Sequence, residues 1–408
     1  MLSSPQRLTA LDWMRGFVMA LMVIDHSGFV DPNHLFTDSV TLYDPGTPLP
    51  FWPFITRWIT HLCAPTFVFL AGVSLALSIG KRQLAGVSDR EMDSHLLKRG
   101  LILIAFDTFF IDPFGQQVLF ALGMGIISMI PLRRLGFKTM LVTALGILIG
   151  GEAIILLAYS WSGADPHAVK DVVSGMMNLS GYDVAKLAEI RSLQPAIGWF
   201  AVIMPFLYPG VAAWLGPLPV LILYPFVPWL GMMLLGWVFG ILLMRHRSQP
   251  ETATDPKRVL LVGGTLSLLL FVILRGLNGY GNMGLLREGA SLVQWLHVSK
   301  YPPGLTFSAL ELGLMSLCLY VFFQYEKTLA GPPRQNNPLL VFGQTALFFY
   351  LLHQPILGIV GGVTGLTGQM GLGGVYLFSA GILVVMYPLC VWYRRYKAAH
   401  PTNWTRYI

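Results

Sequence analysis

Hydrophobic stretches of about 20 residues recur along almost the whole chain, and they limit the possible folds more than any other feature of the sequence. At ~1.5 Å of rise per residue, a helix of that length crosses the ~30 Å hydrocarbon core of a bilayer. The composition agrees, because 54% of the residues are hydrophobic and only 12% are charged, whereas soluble domains are about 25% charged. We therefore predict an all-α integral membrane protein, a polytopic bundle that forms one domain over residues 1–408.

The hydrophobic pattern predicts about ten transmembrane helices. They cover residues 9–29, 54–79, 98–112, 116–132, 139–160, 219–244, 259–275, 302–325, 338–359 and 371–393. Residues 196–216 are also apolar, but Pro205, Pro209 and Pro217 interrupt helices, so we interpret this segment as re-entrant or interfacial rather than spanning. The pattern shows no internal repeat and no pair of corresponding broken helices.

The basic residues predict the orientation of the bundle. Most of the 27 lysines and arginines fall in segments that are cytoplasmic if both termini are cytoplasmic, as the positive-inside rule requires. The net charge of +7 therefore reflects topology, and we expect no nucleic-acid partner. The three cysteines lie inside predicted spans without metal-ligand spacing, so we expect neither disulfides nor a bound metal.

The first span carries ionisable side chains, which cost at least ~2.5 kcal/mol at mid-bilayer and mark candidate sites. Asp12 and Arg15 interrupt its start, so we expect a permanent span rather than a removable signal peptide. Arg15 and His26 lie within about 20° of one helix face and ~16 Å apart along it, with Met19 and Met22 between them. A stripe of this kind is typical of a helix that lines a tunnel. The alternative is that Asp12 pairs with Arg15 at the membrane surface while His26 packs against a neighbouring helix.

Polar groups gather at the outer ends of spans one and two. The adjacent residues Asp25 and His26 diverge by ~100°, so each needs a partner from another helix. Arg57 and His61 lie one turn apart, and Pro65 frees a carbonyl near that face. An imidazole near a carboxylate suits a general base, so we predict that His26 or His61 acts with Asp25. The alternative is an interhelical hydrogen-bond network.

Other polar residues are less informative. We predict a packing role for His353. The loop that contains Asn278, His297 and Lys300 mixes aromatic and turn-forming residues, and could hold a sugar or lie at the membrane interface. Three buried carboxyl groups are left unassigned: Asp107, Glu152 and Glu311.

Six ordered blocks carry a family resemblance: LDWMRGFVMALMVIDH, RWITHLCAPTFVFLAG, YPFVPWLGMMLLGWVFG, LRGLNGYG, VSKYPPG and FGQTALFFYLLHQP. From about residue 7 to 395 the chain resembles bacterial members of the heparan-α-glucosaminide N-acetyltransferase catalytic-domain family. Arg15 and His26 also reproduce the arginine–histidine spacing of the broader transmembrane acyltransferases. In the human lysosomal member of that family the key histidine lies in the external loop after the first helix, so the resemblance makes His34, which falls nearby, a third candidate for the base.

The resemblance implies an enzyme of the bacterial inner membrane that acetylates a glycan or amino sugar on the far side, using cytoplasmic acetyl-CoA as donor. It also makes a homodimer reasonable. We expect the phosphates of acetyl-CoA to contact four arginines: Arg15, Arg82, Arg99 and Arg134. The acceptor would contact the outer polar residues: Arg57, Asn278, His297 and Lys300.

We expect direct transfer to the sugar rather than an acyl-enzyme intermediate, because the apolar surroundings of Cys63 should keep it a thiol. The main rival is a proton-coupled transporter of small solutes, since buried carboxyls and histidines also form proton relays. The sequence leaves open the acceptor, N- or O-acetylation, and the length of the acyl chain.

Overall fold

The computed structural model describes residues 8–32, 49–112, 115–177, 184–195, 198–212, 220–329, 331, 333–400 and 403. This part of the chain is almost entirely helical. Its helices are α1 (Thr9–His26), α2 (Phe51–Thr60), α3 (Cys63–Leu84), α4 (Asp89–Phe106), α5 (Val118–Leu132), α6 (Phe137–Ser162), α7 (Pro166–Met177), α8 (Val184–Leu193), α9 (Phe200–Leu207), α10 (Phe226–Ser248), α11 (Pro256–Leu277), α12 (Leu292–Leu296), α13 (Leu305–Thr328), α14 (Pro338–Gln344), α15 (Ala346–Thr364) and α16 (Leu372–Ala399).

Within the described residues, seven helical segments are long and apolar enough to cross a membrane. They are α2 with α3, α6, α10, α11, α13, α15 and α16. Helix α1 carries three charged residues, Asp12, Arg15 and Asp25, and α5 is shorter than a full span. The multi-pass helical architecture predicted from the sequence is confirmed, whereas the number of ten spans and the cytoplasmic termini stay predictions.

Two predicted spans are broken, which corrects the expectation of continuous helices there. The segment 54–79 is interrupted at His61 and Leu62, between α2 and α3. Pro65 has no N–H to donate to the His61 carbonyl, so the helical ladder cannot continue through that turn. The segment 338–359 is interrupted at Thr345, whose φ of -120° is not helical. Both breaks lie beside the cavity described below.

A small sheet replaces helix at two predicted span starts, and the all-α prediction is wrong at those points. The strands are β1 (Gly115–Gln116), β2 (Gly210–Ala212) and β3 (Val220–Ile222). Strand β3 lies between the other two, parallel to β1 and antiparallel to β2. The apolar run at β3 is bounded by Pro219 and Pro225, and such a run fits a short strand better than a helix. Consequently the predicted span 219–244 becomes helical only at Phe226.

Two further predicted segments differ in detail. Helix α4 gives way to a π-helical turn, Asp107–Ile111, instead of continuing to residue 112. In the described part of 196–216, the helix Phe200–Leu207 has eight residues. At ~1.5 Å per residue its length is about 12 Å, which is too short to cross a bilayer. The structure thus agrees with a segment that does not span.

Helix α1 is surrounded by other helices, and two glycines let one of them, α14, approach closely. A Cβ atom on Gly16 would lie 1.9 Å from the Leu339 carbonyl oxygen, and one on Gly343 would lie 1.8 Å from the Asp12 carbonyl oxygen. The backbones of α1 and α14 are therefore in direct contact, as small residues allow in membrane bundles. This contact fixes the direction in which the polar stripe of α1 faces.

Candidate functional site

Two cavities meet at the C-terminal end of α1. The first, of about 320 Å³, follows the helix from Arg15 to His26. The second, of about 550 Å³, lies beyond that end and includes Phe29 and Thr367 in its wall. Four residues line both cavities: Asp25, His26, Gln117 and Tyr224. We call this shared region the junction. It places a carboxylate and an imidazole where two ligands could approach from different directions.

Asp25 is held by the second span. Its carboxylate accepts hydrogen bonds from Arg57 Nη1 and, at 2.7 Å, from Thr60 Oγ1. Asp25 Oδ2 lies 3.7 Å from His26 Nε2, which is beyond hydrogen-bond distance but close enough to stabilise a positive charge on the ring. Asp25 therefore takes its hydrogen bonds from another helix and acts on His26 through its charge.

His26 contacts a second histidine that the sequence assigned to packing. His26 Nδ1 lies 2.7 Å from His353 Nε2, and the two rings stack with centroids 4.9 Å apart. His353 is fully buried, and its Nδ1 lies 2.7 Å from the Tyr350 carbonyl oxygen. Because the two histidines are 327 residues apart, no local spacing could have predicted this contact.

The other two candidates for the base are placed differently. His61 is buried, with its ring 5.8 Å from that of Phe307, and is not among the described residues that line either cavity. His34 lies outside the described residues. The structure describes two of the three candidate histidines. His26 lies at the junction, whereas His61 lies behind the cavity wall.

Arginines gather at the opposite end of the first cavity. Arg15 donates to Asp12 and to Ser74, both at 2.6 Å, and also lines the cavity. The pair with Asp12 and the cavity-lining position therefore occur together, although Asp12 is buried. Arg99 lines this cavity and a further cavity of about 320 Å³ that includes Arg82.

The fourth predicted arginine is engaged elsewhere. Arg134 donates to an Asp93 carboxylate oxygen at 2.5 Å, and the same carboxylate accepts from Arg133. Arg134 does not appear among the described residues of the cavity walls. The structure thus separates Arg134 from the cluster of Arg15, Arg82 and Arg99.

Two of the four predicted acceptor residues reach the cavities. Arg57 lines the second cavity, and the buried Lys300 lines the first. The Lys300 ammonium lies 5.2 Å from the centre of the Tyr301 ring, and the Tyr301 hydroxyl lies 3.0 Å from that of Tyr224. Burial raises the pKa of Tyr301, but the combined opposing effect, mainly of the Lys300 and Arg57 cations, is larger, so the pKa lies below its usual value. The sequence analysis assigned no role to this tyrosine pair, although both residues lie in the blocks that carry the family resemblance.

The other two predicted acceptor residues stabilise the loop. Asn278 exchanges hydrogen bonds with the backbone of Arg287, at 3.0 and 2.6 Å. His297 is fully buried beside Phe54, and burial, assisted by the charge of Arg275, lowers its pKa to about 3. Among the described residues that line the two cavities, neither Asn278 nor His297 occurs.

Cys63 lines the first cavity, and its thiol donates to the Val18 carbonyl oxygen at 3.2 Å. This contact favours the protonated thiol over the thiolate. Across the described residues, no group of three or more His, Cys, Asp and Glu side chains could hold a metal ion.

The fold and the junction define a multi-pass helical membrane protein with a polar site inside the bundle. Residues 7–161 match the family model described as "Heparan-alpha-glucosaminide N-acetyltransferase, catalytic". The matched segment includes α1 to α6, with Arg15, Asp25, His26 and Arg57. The family resemblance read from the sequence is therefore confirmed in this segment, and it supports a transmembrane acetyltransferase. No curated protein matched the chain.

Proposed function

We propose that this protein transfers an acetyl group from acetyl-CoA to an amine or hydroxyl group of a glycan sugar, with His26 as the general base. The main support is the position of Asp25 and His26 at the junction, where a thioester in one cavity and a sugar in the other would meet at one imidazole. The family match supports the acetyltransferase class. Acetyl-CoA as donor and a glycan as acceptor are the finer parts of the proposal.

The donor would approach from the predicted cytoplasmic end. Arg15, Arg82 and Arg99 gather there, and guanidinium groups bind phosphates with paired hydrogen bonds. The slender pantetheine arm would follow the first cavity along α1 until the thioester reaches His26. We assign Arg134 at most an outer contact with the donor, because Asp93 already holds it.

The reaction is a direct acyl transfer. The nitrogen or oxygen of the sugar attacks the thioester carbonyl carbon, a C–N or C–O bond forms, and the C–S bond breaks. His26 takes the proton of the attacking group and passes it to the departing CoA thiolate. The Asp25 carboxylate, 3.7 Å from His26 Nε2, stabilises the imidazolium between those steps.

Negative charge develops on the thioester oxygen as the sugar attacks. Lys300 lines the same cavity, and its neighbour Tyr301 is linked to the junction through Tyr224. A buried ammonium and aligned hydroxyl groups stabilise such charge strongly, because little water competes. We therefore assign Lys300 to stabilisation of the oxyanion.

An acyl-enzyme on Cys63 is the main alternative within this reaction class. The hydrogen bond from Cys63 to Val18 favours a thiol rather than a nucleophilic thiolate. Direct transfer predicts that Cys63→Ala retains activity, and that no acetylated protein forms when acetyl-CoA is supplied without acceptor.

We further propose that the protein lies in a bacterial inner membrane, that the acceptor binds on the external side, and that the protein forms a homodimer. These points follow from the family resemblance and the positive-inside pattern. Mass spectrometry of envelope glycans with and without the gene would identify the acceptor, and light scattering of the purified protein would give its oligomeric state.

The decisive experiment measures transfer of radiolabelled acetyl groups by the purified protein in liposomes, with glucosamine and isolated envelope glycans as acceptors. The proposal predicts labelled sugar and a matching release of CoA. His26→Gln should abolish both, whereas His246→Gln, at the end of α10 and not among the described residues that line the two cavities, should retain both. Full transfer by His26→Gln would contradict the assignment of the base.

A transporter remains the second candidate, because two helices are broken beside the cavity, at His61–Leu62 and Thr345. Discontinuous helices form substrate sites in many transporters. A specific donor site predicts that CoA and acetyl-CoA raise the melting temperature, and that the rise grows with the logarithm of their concentration once it exceeds Kd. If neither changes the melting temperature, the transporter is favoured.

A further inference from the structure

We propose that His353 fixes the tautomer of His26, so that Nε2 of His26 carries the lone pair and Nδ1 carries the proton. His353 is then a positioning residue for the base. The catalytic consequence rests on the proposed function, but the tautomer can be measured without any activity.

The argument begins at the far side of the His353 ring. His353 Nδ1 lies 2.7 Å from the Tyr350 carbonyl oxygen and 3.1 Å from that of Phe349. Carbonyl oxygens only accept hydrogen bonds, so this nitrogen must carry a hydrogen.

The charge of His353 follows from its burial. The side chain is fully buried, and a charged imidazolium there would be far less favourable than a neutral ring. A neutral ring with its hydrogen on Nδ1 has a lone pair on Nε2. That lone pair faces His26 Nδ1 at 2.7 Å, so His26 Nδ1 must be the donor.

Gln354 also approaches His26 Nδ1, with its amide nitrogen at 3.4 Å. This contact is longer than the 2.7 Å contact to His353. Because His26 Nδ1–H is itself a donor, the Gln354 amide nitrogen cannot donate a hydrogen bond to it. Rotating the amide by 180° brings its oxygen to the same place, and the hydrogen-bond network decides that orientation. Gln354 then accepts a weaker hydrogen bond from the same Nδ1–H group.

The catalytic consequence concerns the other ring nitrogen. With Nδ1 protonated, the lone pair of neutral His26 lies on Nε2, which is 3.7 Å from Asp25 Oδ2. When Nε2 accepts a proton, the hydrogen bond from Nδ1 to His353 persists, and the new charge lies beside Asp25. The ring therefore need not rotate during the reaction, which is how a fixed partner helps a catalytic histidine.

The test is nitrogen-15 NMR of protein with labelled histidine rings, in liposomes at about pH 8, above the usual histidine pKa of ~6.5. The His26 signals are identified by their absence in His26→Gln. We expect a protonated Nδ1 and an unprotonated Nε2. A protonated Nε2 in the wild type would overturn the proposal, whether or not the protein transfers acetyl groups.

Two substitutions of His353 separate tautomer control from packing. In His353→Gln the amide oxygen can take the place of Nε2 and accept from His26, so the wild-type tautomer should persist. In His353→Leu the acceptor at 2.7 Å is lost and only the longer, 3.4 Å contact to Gln354 remains, so a large share of His26 should move its proton to Nε2. Unchanged His26 signals in a folded His353→Leu protein would contradict the proposal. If that variant does not fold, the wild type and His353→Gln still decide it.

Kinetics provide the second readout. His353→Leu should lower kcat for acetyl transfer to glucosamine by about 10- to 100-fold, the usual effect of losing such a partner, with KM for acetyl-CoA unchanged. His353→Gln should restore most of that loss. If the wild type transfers no acetyl group to any acceptor, the proposed function fails, while the NMR result still decides the tautomer.

Discussion

The carboxylate of Asp25 and the guanidinium of Arg57 form an ion pair that joins α1 to α2 at the junction of the two cavities. Both side chains are largely buried, with 12% and 9% of their surface exposed. Thr60 donates a further hydrogen bond to the same carboxylate. The pair therefore connects the packing of the bundle with the electrostatics of the site.

Asp25→Asn should lower both stability and activity. Removing one partner of a buried ion pair leaves the other charge uncompensated, at a cost of about 3 kcal/mol. We expect a lower melting temperature in detergent and reduced acetyl transfer. The double variant Asp25→Asn/Arg57→Gln should regain much of the melting temperature without regaining transfer. Equal recovery of both would show that Asp25 acts only in packing.

His26→Gln and His61→Gln should have opposite consequences. Loss of a general base lowers kcat by about 10²- to 10⁴-fold, so His26→Gln should be nearly inactive while retaining its fold. His61 lies in the packed interior, so His61→Gln should reduce the melting temperature and leave the kcat of the folded protein within a few-fold of the wild type. A folded, inactive His61→Gln protein beside an active His26→Gln protein would reverse this assignment.

Arg82→Gln and Arg99→Gln should weaken donor binding. Loss of one charged hydrogen bond to a phosphate, worth about 1.5 kcal/mol or more, predicts a roughly tenfold higher KM for acetyl-CoA. Arg134→Gln is the matched control, because Arg134 is paired with Asp93, and its KM should stay close to that of the wild type. S-acetylpantetheine lacks the nucleotide phosphates, so its KM should not respond to any of these changes.

Lys300→Met should lower kcat about 10²-fold, the usual effect of removing an oxyanion-stabilising group, with little change in KM for acetyl-CoA. Lys300→Arg keeps the charge and should retain part of the activity. Steady-state kinetics in liposomes separate the two constants. A rise in KM alone would instead assign Lys300 to ground-state binding of the donor.

Gly16→Ala and Gly343→Ala should each destabilise the bundle by about 1–3 kcal/mol, because each added Cβ would overlap a carbonyl oxygen of the facing helix. Gly150→Ala in α6 is the control, since its Cβ would meet no heavy atom within 4 Å. There the loss of glycine flexibility should leave stability unchanged or raise it slightly. Thermal unfolding of the three variants in one detergent compares them directly.

Much of the fold could be predicted because a bilayer leaves few choices. Backbone groups in hydrocarbon must be hydrogen-bonded within the chain, so a long apolar stretch becomes a helix. The prediction failed at His61–Leu62, Thr345 and Val220–Ile222, where the backbone turns or forms a strand inside the protein. Strand β3 takes its hydrogen bonds from β1 and β2, whereas the backbone at the two helix breaks keeps local ones. The hydrophobic pattern contains no record of either arrangement.

The site could be predicted only in part for a related reason. Helical periodicity placed Arg15 and His26 on one face, and the structure has a cavity along that face. The partners Arg57 and His353 come from other helices, and the sequence proposed Arg57 as a neighbour but not His353 as a contact of His26. His61 met the same sequence criteria as His26, yet only one of them faces the cavity.

The sequence by itself determined the helical membrane architecture and the small set of buried polar residues from which a site could be made. Both follow from the cost of polar groups in hydrocarbon, which acts on each segment separately. The tertiary structure decided which of those residues meet, because contacts such as those of His26 with His353 and of Gly16 with Leu339 depend on how distant helices pack.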